Sequence, residues 1–284
     1  MSVSREFHYR LPRRVRGWRP GSHPGSGFGA GQEFVAHMSL YDWPDPRRLD
    51  LRASLQDTHR DWLVRINRQR ASVPVYVIVD VSASMSFGSR KPKLHIAADF
   101  IEALSQSAFR VGDALGMLAF DAAERIDLFV PAHLNRGMGA VIAEMLRACK
   151  GGAGDASGLE QAALNIGGRS GLVFLVSDFH WPLARLGDAL DVLAPAYVVP
   201  MILWDSAEIQ PPLHDGLASL RDAESDAMRT LWLRSRLRTA WQDGVAARRA
   251  ELNRIFAARE IRPFYVDGDF DGEALSQYFL EAAP

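Results

Sequence analysis

The chain has 284 residues, of which 48% are apolar and 24% charged, and its formal net charge is −1. A composition this close to the globular average excludes a disordered or fibrous chain, and near-neutrality gives no global attraction to nucleic acid or acidic membranes. The single Cys149 excludes an intrachain disulfide and a cysteine-rich zinc site, and fits a reducing, cytoplasmic compartment.

A membrane helix needs about 20 consecutive apolar residues. The longest apolar candidate, 194–204, is interrupted by Pro195 and Pro200. Residues 1–34 are rich in Arg, Gly and Pro and read as an irregular arm, with Phe7, Tyr9, Leu11 and Trp18 as its packing points. Arg13-Arg14 is followed by no apolar segment, which argues against a secretory or twin-arginine leader. Residues 35–73 read as a hairpin-like extension packing on the core. From residue 74 strand-like and helix-like segments alternate, which predicts an α/β fold: a mostly parallel sheet with helices on both faces.

In chain order, strands are expected at 75–79, 114–120, 172–177, 197–204 and 263–266, with 125–130 as an exposed edge strand or hairpin partner. Helices are expected at 93–109, 139–149, 159–166, 183–193 and 271–280, and a long amphipathic one at 235–259. Segments 217–221 and 228–233 read as a hairpin inserted at about 215–234 of a domain covering 74–284. Trp204, Trp232 and Trp241 sit in periodic apolar patterns and read as core.

The chemistry concentrates where the first of these strands ends. Val75-Tyr-Val-Ile-Val79 carries no polar alternation, as expected of a strand buried on both faces, and Asp80-x-Ser82-x-Ser84 follows at once. In an open parallel sheet that loop faces the carboxyl-end crevice where ligands bind. One carboxylate and two hydroxyls form an all-oxygen set suited to Mg²⁺ or Mn²⁺, or to Ca²⁺, rather than zinc. Leu172-Val-Phe-Leu-Val-Ser-Asp178 repeats the pattern of an apolar run ending in a carboxylate, so Asp80 and Asp178 can face one cation. Asp121 ends a further strand and could enter the same crevice, although a turn role suits it as well. An aspartate at a strand end also serves as a turn or cap residue, and that alternative applies to Asp80 and Asp178 too.

The Asp80-x-Ser82-x-Ser84 pattern after a buried strand resembles the metal-ion-dependent adhesion site of von Willebrand A domains. The resemblance implies that Asp178 contacts the metal through water and that a threonine in a Gly-rich loop completes the shell. Here that loop, 151–157, has no threonine; Ser157 is the best substitute, with Asp155 behind it, and Ser157 could equally cap the next helix. Upstream, Asp45, Arg48, Asp50 and Arg52 fall where an acidic turn and an Arg-x-x-Asp-x-Arg element stand in a second, narrower group. That group is the bacterial family of von Willebrand A-like proteins encoded beside MoxR-type AAA+ ATPases; Leu51 replaces its usual aromatic. The opening Phe7-His-Tyr-Arg-Leu-Pro is similar to the member found in methanol dehydrogenase gene clusters. The resemblance implies a metal-dependent adaptor for a MoxR-type ATPase in maturing a client such as methanol dehydrogenase.

Enzyme chemistry has little purchase in this sequence. There is no Gly-x-Ser-x-Gly elbow and no Walker loop, and the eight histidines form no i, i+4 pair. The expectation is therefore a protein-binding module and not an enzyme. A divalent-metal phosphoester hydrolase in the same crevice, and a scaffold that has lost its metal, are the alternatives.

Overall fold

The computed structural model describes residues 6–12, 20–29, 31, 33–152, 157–212, 214–221 and 228–282. Arg13, Arg14, Trp18 and Asp155 lie outside them. The chain divides into two units, Leu11–Val73 and a second made of Met1–Arg10 with Pro74–Pro284.

The smaller unit is an antiparallel sheet of β1 (Pro20–Gly29), β2 (Glu33–Ser39) and β3 (Leu63–Ala71) in the order β1-β3-β2, with helix α1 (Leu51–Gln56) between β2 and β3. Two expectations change here. The segment read as irregular through residue 34 contains β1. Its glycines signal a loop by composition, but at Gly21 a Cβ would stand 2.2 Å from the Ser72 backbone nitrogen, so the missing side chain is what lets these two backbones close up. The charged stretch from Asp45 is a capped turn and helix, not a hairpin. Asp45 caps the turn Pro46–Arg48, and Asp50 caps α1 by accepting from Ala53 N at 3.1 Å.

The larger unit begins with β4 (Pro74–Asp80), in which every residue from Val75 on is buried. It continues through α2 (Lys93–Val111), β5 (Ala114–Phe120), β6 (Val130–His133), α3 (Met138–Ala148), α4 (Leu159–Ile166) and β7 (Leu172–Ser177). There follow α5 (Leu186–Val192), β8 (Tyr197–Trp204), the single turn α6 (Ser206–Ile209), the hairpin β9 (Gly216–Arg221) with β10 (Met228–Leu233), α7 (Ser235–Ala257), β11 (Phe264–Asp267) and α8 (Gly272–Ala282). Six strands form one sheet in the order β11-β8-β7-β4-β5-β6, parallel except for the edge strand β6.

Side chains alternate across the sheet. Ile78, Leu118 and Leu175 pack on one face beneath α4, α5 and the end of α7, where Phe256 meets Phe179. On the other face Phe174 meets Phe100 of α2 at 5.0 Å and Phe279 of α8 at 6.2 Å. Phe7 enters this second layer, its ring 6.1 Å from Phe100. The expected strand at 125–130 is instead the turn Ile126–Leu128, held by Arg125 donating to both oxygens of Asp127, and β6 starts only at Val130. Trp204 is core, but Trp232 is 57% exposed on the hairpin and Trp241 is half-buried. Among the described residues no helix is long and apolar enough to cross a membrane.

The chain winds outward from β4 through β5 to β6, then returns to lay β7, β8 and β11 on the other side. The strand order therefore reverses between β4 and β7, and a crevice opens at the carboxyl ends of that pair. Asp80 and Asp178 stand there, Asp80 closing β4 and Asp178 the first residue after β7.

Candidate functional site

Asp80, Ser82 and Ser84 come together as the sequence implies. Asp80 is fully buried and accepts from Ser82 N at 2.9 Å on Oδ1, and from Ser177 Oγ at 2.6 Å and Trp181 Nε1 at 3.0 Å on Oδ2, with the Ser82 hydroxyl bonding to it as well. Ser82 Oγ and Ser84 Oγ are 3.2 Å apart. Neighbouring oxygens of an octahedral shell with bonds of about 2.0–2.1 Å are separated by about 3 Å. The Ser82–Ser84 spacing is close to that of neighbouring oxygens in such a shell.

Across the crevice the arrangement is different. Lys93, the first residue of α2, is buried to 1% and extends its ammonium between two carboxylates. Its Nζ donates to Asp178 Oδ2 at 2.7 Å and to Glu208 Oε1 at 2.6 Å. Asp178 Oδ1 accepts from His180 N at 3.1 Å, and His180 Nε2 lies 3.6 Å from Glu208 Oε2. Phe179, between Asp178 and His180, holds φ at 53°, a conformation that L side chains rarely adopt. Glu208 reaches Lys93 because Asp205 starts α6 with a capping box, in which Glu208 accepts from Asp205 N at 3.0 Å.

The two carboxyls respond in opposite directions. Burial, reinforced by the charge of Asp178, pushes Asp80 up to about 6. Burial also opposes ionisation of Asp178, yet the Lys93 ammonium outweighs it and holds Asp178 below the usual carboxylate range. For Lys93, desolvation favours the neutral amine, and its two carboxylate partners reverse that and raise it. Asp80 is thus the carboxylate of the crevice whose described partners are all neutral donors.

Gly151 and Gly152, the described start of the Gly-rich loop, lie against the same end of the sheet. Gly152 N donates to Val81 O at 2.9 Å and Gly151 N to Ser86 Oγ at 3.0 Å. Ser157 Oγ donates to Ala122 O at 2.7 Å, a backbone contact beside β5. Asp121 fills its turn role, accepting from Ala123 N at 3.1 Å and pairing with Arg125 at 3.1 Å. Next to the crevice a cavity of about 360 Å³ is lined by His180, Trp204, Glu208, Trp241, Val245 and Arg248.

Sequence reasoning missed Ser177, Trp181, Lys93, His180 and Glu208. One signal was available. A lysine in the first turn of a helix faces the positive end of the dipole, and Lys93 sits there among apolar residues, so a compensating acid was implied. Asp178, His180 and Glu208 also place ligand atoms within 4.8 Å of one another, the geometry of an acidic metal triad.

A doubly wound sheet with one antiparallel edge, carrying an oxygen-lined loop where the strand order reverses, is a von Willebrand A-like fold. Residues 45–251 match the family described as Protein of unknown function DUF58, and the chain belongs to that family. Uncharacterized proteins of Mycobacterium tuberculosis and Mycobacterium bovis are each 27% identical over 257 residues, covering 88% of this chain and 79% of theirs. Among solved structures, the conserved hypothetical protein BatB from Bacteroides thetaiotaomicron is 16% identical with a TM-score of 0.43, over 74% of this chain and 98% of its own. A von Willebrand factor type A protein from Catenulispora acidiphila is 15% identical with a TM-score of 0.41, over 76% of this chain and 43% of its own.

Proposed function

We propose that the protein is a non-catalytic protein-binding module whose crevice holds one Mg²⁺ on Asp80, Ser82 and Ser84. The observation that carries this reading is the set of three oxygen side chains at the reversal point, with Asp80 buried and no cationic partner among its described contacts. Such an ion supplies an open coordination position for a carboxylate oxygen of a partner. The protein's own part is to fix the loop: Ser177 and Trp181 hold the Asp80 carboxylate, and the Gly-rich loop clasps the backbone at Val81. Side chains pre-set in this way reduce the ordering cost of binding. The partner is a MoxR-type AAA+ ATPase, with the module acting as its adaptor toward a client such as methanol dehydrogenase in the cytoplasm. The acidic-turn residues Asp45, Arg48, Asp50 and Arg52 support that assignment.

The test is an affinity pull-down of tagged protein from its native lysate, with Mg²⁺ and with EDTA, read by mass spectrometry. Retention of an AAA+ ATPase only with Mg²⁺ is the expected result. Equal retention in both removes the metal from the mechanism, and no ATPase in either overturns the adaptor reading.

A further inference from the structure

We propose that Lys93 is the built-in cation of the second carboxylate, so that the crevice takes a divalent ion on the Asp80 side alone. Asp178, His180 and Glu208 then bind none. The inference rests on the cation-site reading above and adds to it where the ion sits, how many there are, and what keeps a second one out.

The geometry is that of an occupied site. An ion held by the acidic triad would lie about 2.0–2.5 Å from its carboxylate oxygens. The Lys93 nitrogen already stands 2.7 Å from Asp178 and 2.6 Å from Glu208, and it reaches that place from a buried position at the start of α2. An ion entering the triad would have to share a buried space with an ammonium group, and repulsion between such charges is weakly screened there. Expelling Lys93 would leave α2 without the contact that ties its first turn to the ends of β7 and β8. On the Asp80 side the balance is reversed. That carboxylate is equally buried, its described contacts are neutral donors, and a cation there meets a charge that the fold has left uncompensated.

The consequence separates this role from that of an ordinary structural ion pair. If Lys93 only braced the fold, its removal would weaken every property of the crevice. If it is a resident cation, its removal opens a site: Lys93→Ala frees Asp178 and Glu208 beside His180, and divalent-ion binding increases.

The experiment is Mn²⁺ titration of the full chain, followed by calorimetry and by the electron paramagnetic resonance of free Mn²⁺. Wild type is expected to bind one ion, lost in Asp80→Ala and changed less than twofold by His180→Ala. Lys93→Ala is expected to gain a second site at least tenfold tighter than any residual binding at the triad, and Lys93→Ala with His180→Ala to lose that gain. A folded Lys93→Ala with no gain overturns the proposal. So does wild-type binding that falls with His180→Ala, and this arm stands even where Lys93→Ala does not fold. Wild type binding no Mn²⁺ while Lys93→Ala binds it would remove the Asp80 site and leave the role of Lys93 in place.

Discussion

Asp80 and Asp178 flank the point where the strand order reverses, and Lys93 pairs with only the second of them. The asymmetry gives the crevice one compensated and one uncompensated carboxylate. A ligand bound by the folded state alone stabilises it by mass action, by about 1.4 kcal/mol at ten times its dissociation constant. For a chain of this size that is a rise in Tm of about 2–3 °C. Mg²⁺ is expected to produce this shift in the wild type and none in Asp80→Asn, which keeps the shape of the side chain. A thermal scan with and without Mg²⁺ decides it; a shift that survives in Asp80→Asn places the ion elsewhere.

Glu6–Arg10 belongs to the core of the larger unit even though it is distant from it in sequence. Phe7 is 1% exposed, its ring lies near Phe100 and Phe270, and its backbone N–H donates to Ser107 Oγ at 3.1 Å. Tyr9 donates its hydroxyl to Asp113 at 2.6 Å. Phe7→Ala is expected to cost about 3–5 kcal/mol by truncating a fully buried aromatic. Tyr9→Phe is expected to cost about 1–3 kcal/mol by removing a donor from a buried carboxylate. Urea unfolding measures both, and a loss below about 1 kcal/mol for Phe7→Ala would mean that the segment does not hold the core together.

The strands and the first half of the site were legible because each is local. Val75–Val79 and Leu172–Val176 are unbroken apolar runs, and the polar residues that end them mark the sheet edge where ligands collect. The partners of those residues were not legible, because they arrive from other parts of the chain. Trp181 reaches Asp80 by way of a turn with a positive φ at Phe179, and Glu208 reaches Lys93 from a capped single turn 115 residues away. Gly-rich β1 was missed for a different reason. Its strand depends on close backbone approach, which apolar periodicity does not register. The apolar residues of α7 suggested a buried stripe, yet among its residues only Leu252 and Phe256 are buried.

The smaller unit carries a pH signature of its own. Asp50 accepts from Ala53 N, from Arg65 Nε at 2.7 Å and from His37 Nε2 at 3.1 Å, and these contacts, the backbone one first, hold its carboxyl well below the usual range. A carboxyl lowered in the folded state contributes stability above its unfolded value of about 4, and that contribution is lost as the pH falls toward the folded value. Asp50→Asn keeps the helix cap and removes the charge. Its urea midpoint is expected below wild type at pH 7, with the gap shrinking steadily as the pH is taken down from about 4. A gap independent of pH would assign the effect to packing.

The Gly-rich loop touches the candidate cation site through a contact only glycine allows. A Cβ on Gly151 would stand 2.5 Å from Ser86 Oγ, 2.7 Å from Ser82 O and 2.8 Å from Ala83 Cα, two of them backbone atoms of the Asp80–Ser84 loop. Gly151→Ala must push the two loops apart, at a cost of about 1–3 kcal/mol for overpacking. Ser82 and Ser84 then lose their fixed spacing, so the Mg²⁺-dependent rise in Tm is expected to fall by half or more. Gly244 is the contrasting case: it sits inside α7, and a Cβ there would meet nothing within 4 Å. Gly244→Ala should therefore stabilise the helix by about 0.5–1 kcal/mol and leave the Mg²⁺ response intact. Should Gly151→Ala respond to Mg²⁺ as fully as Gly244→Ala does, the loop would have no part in shaping the site.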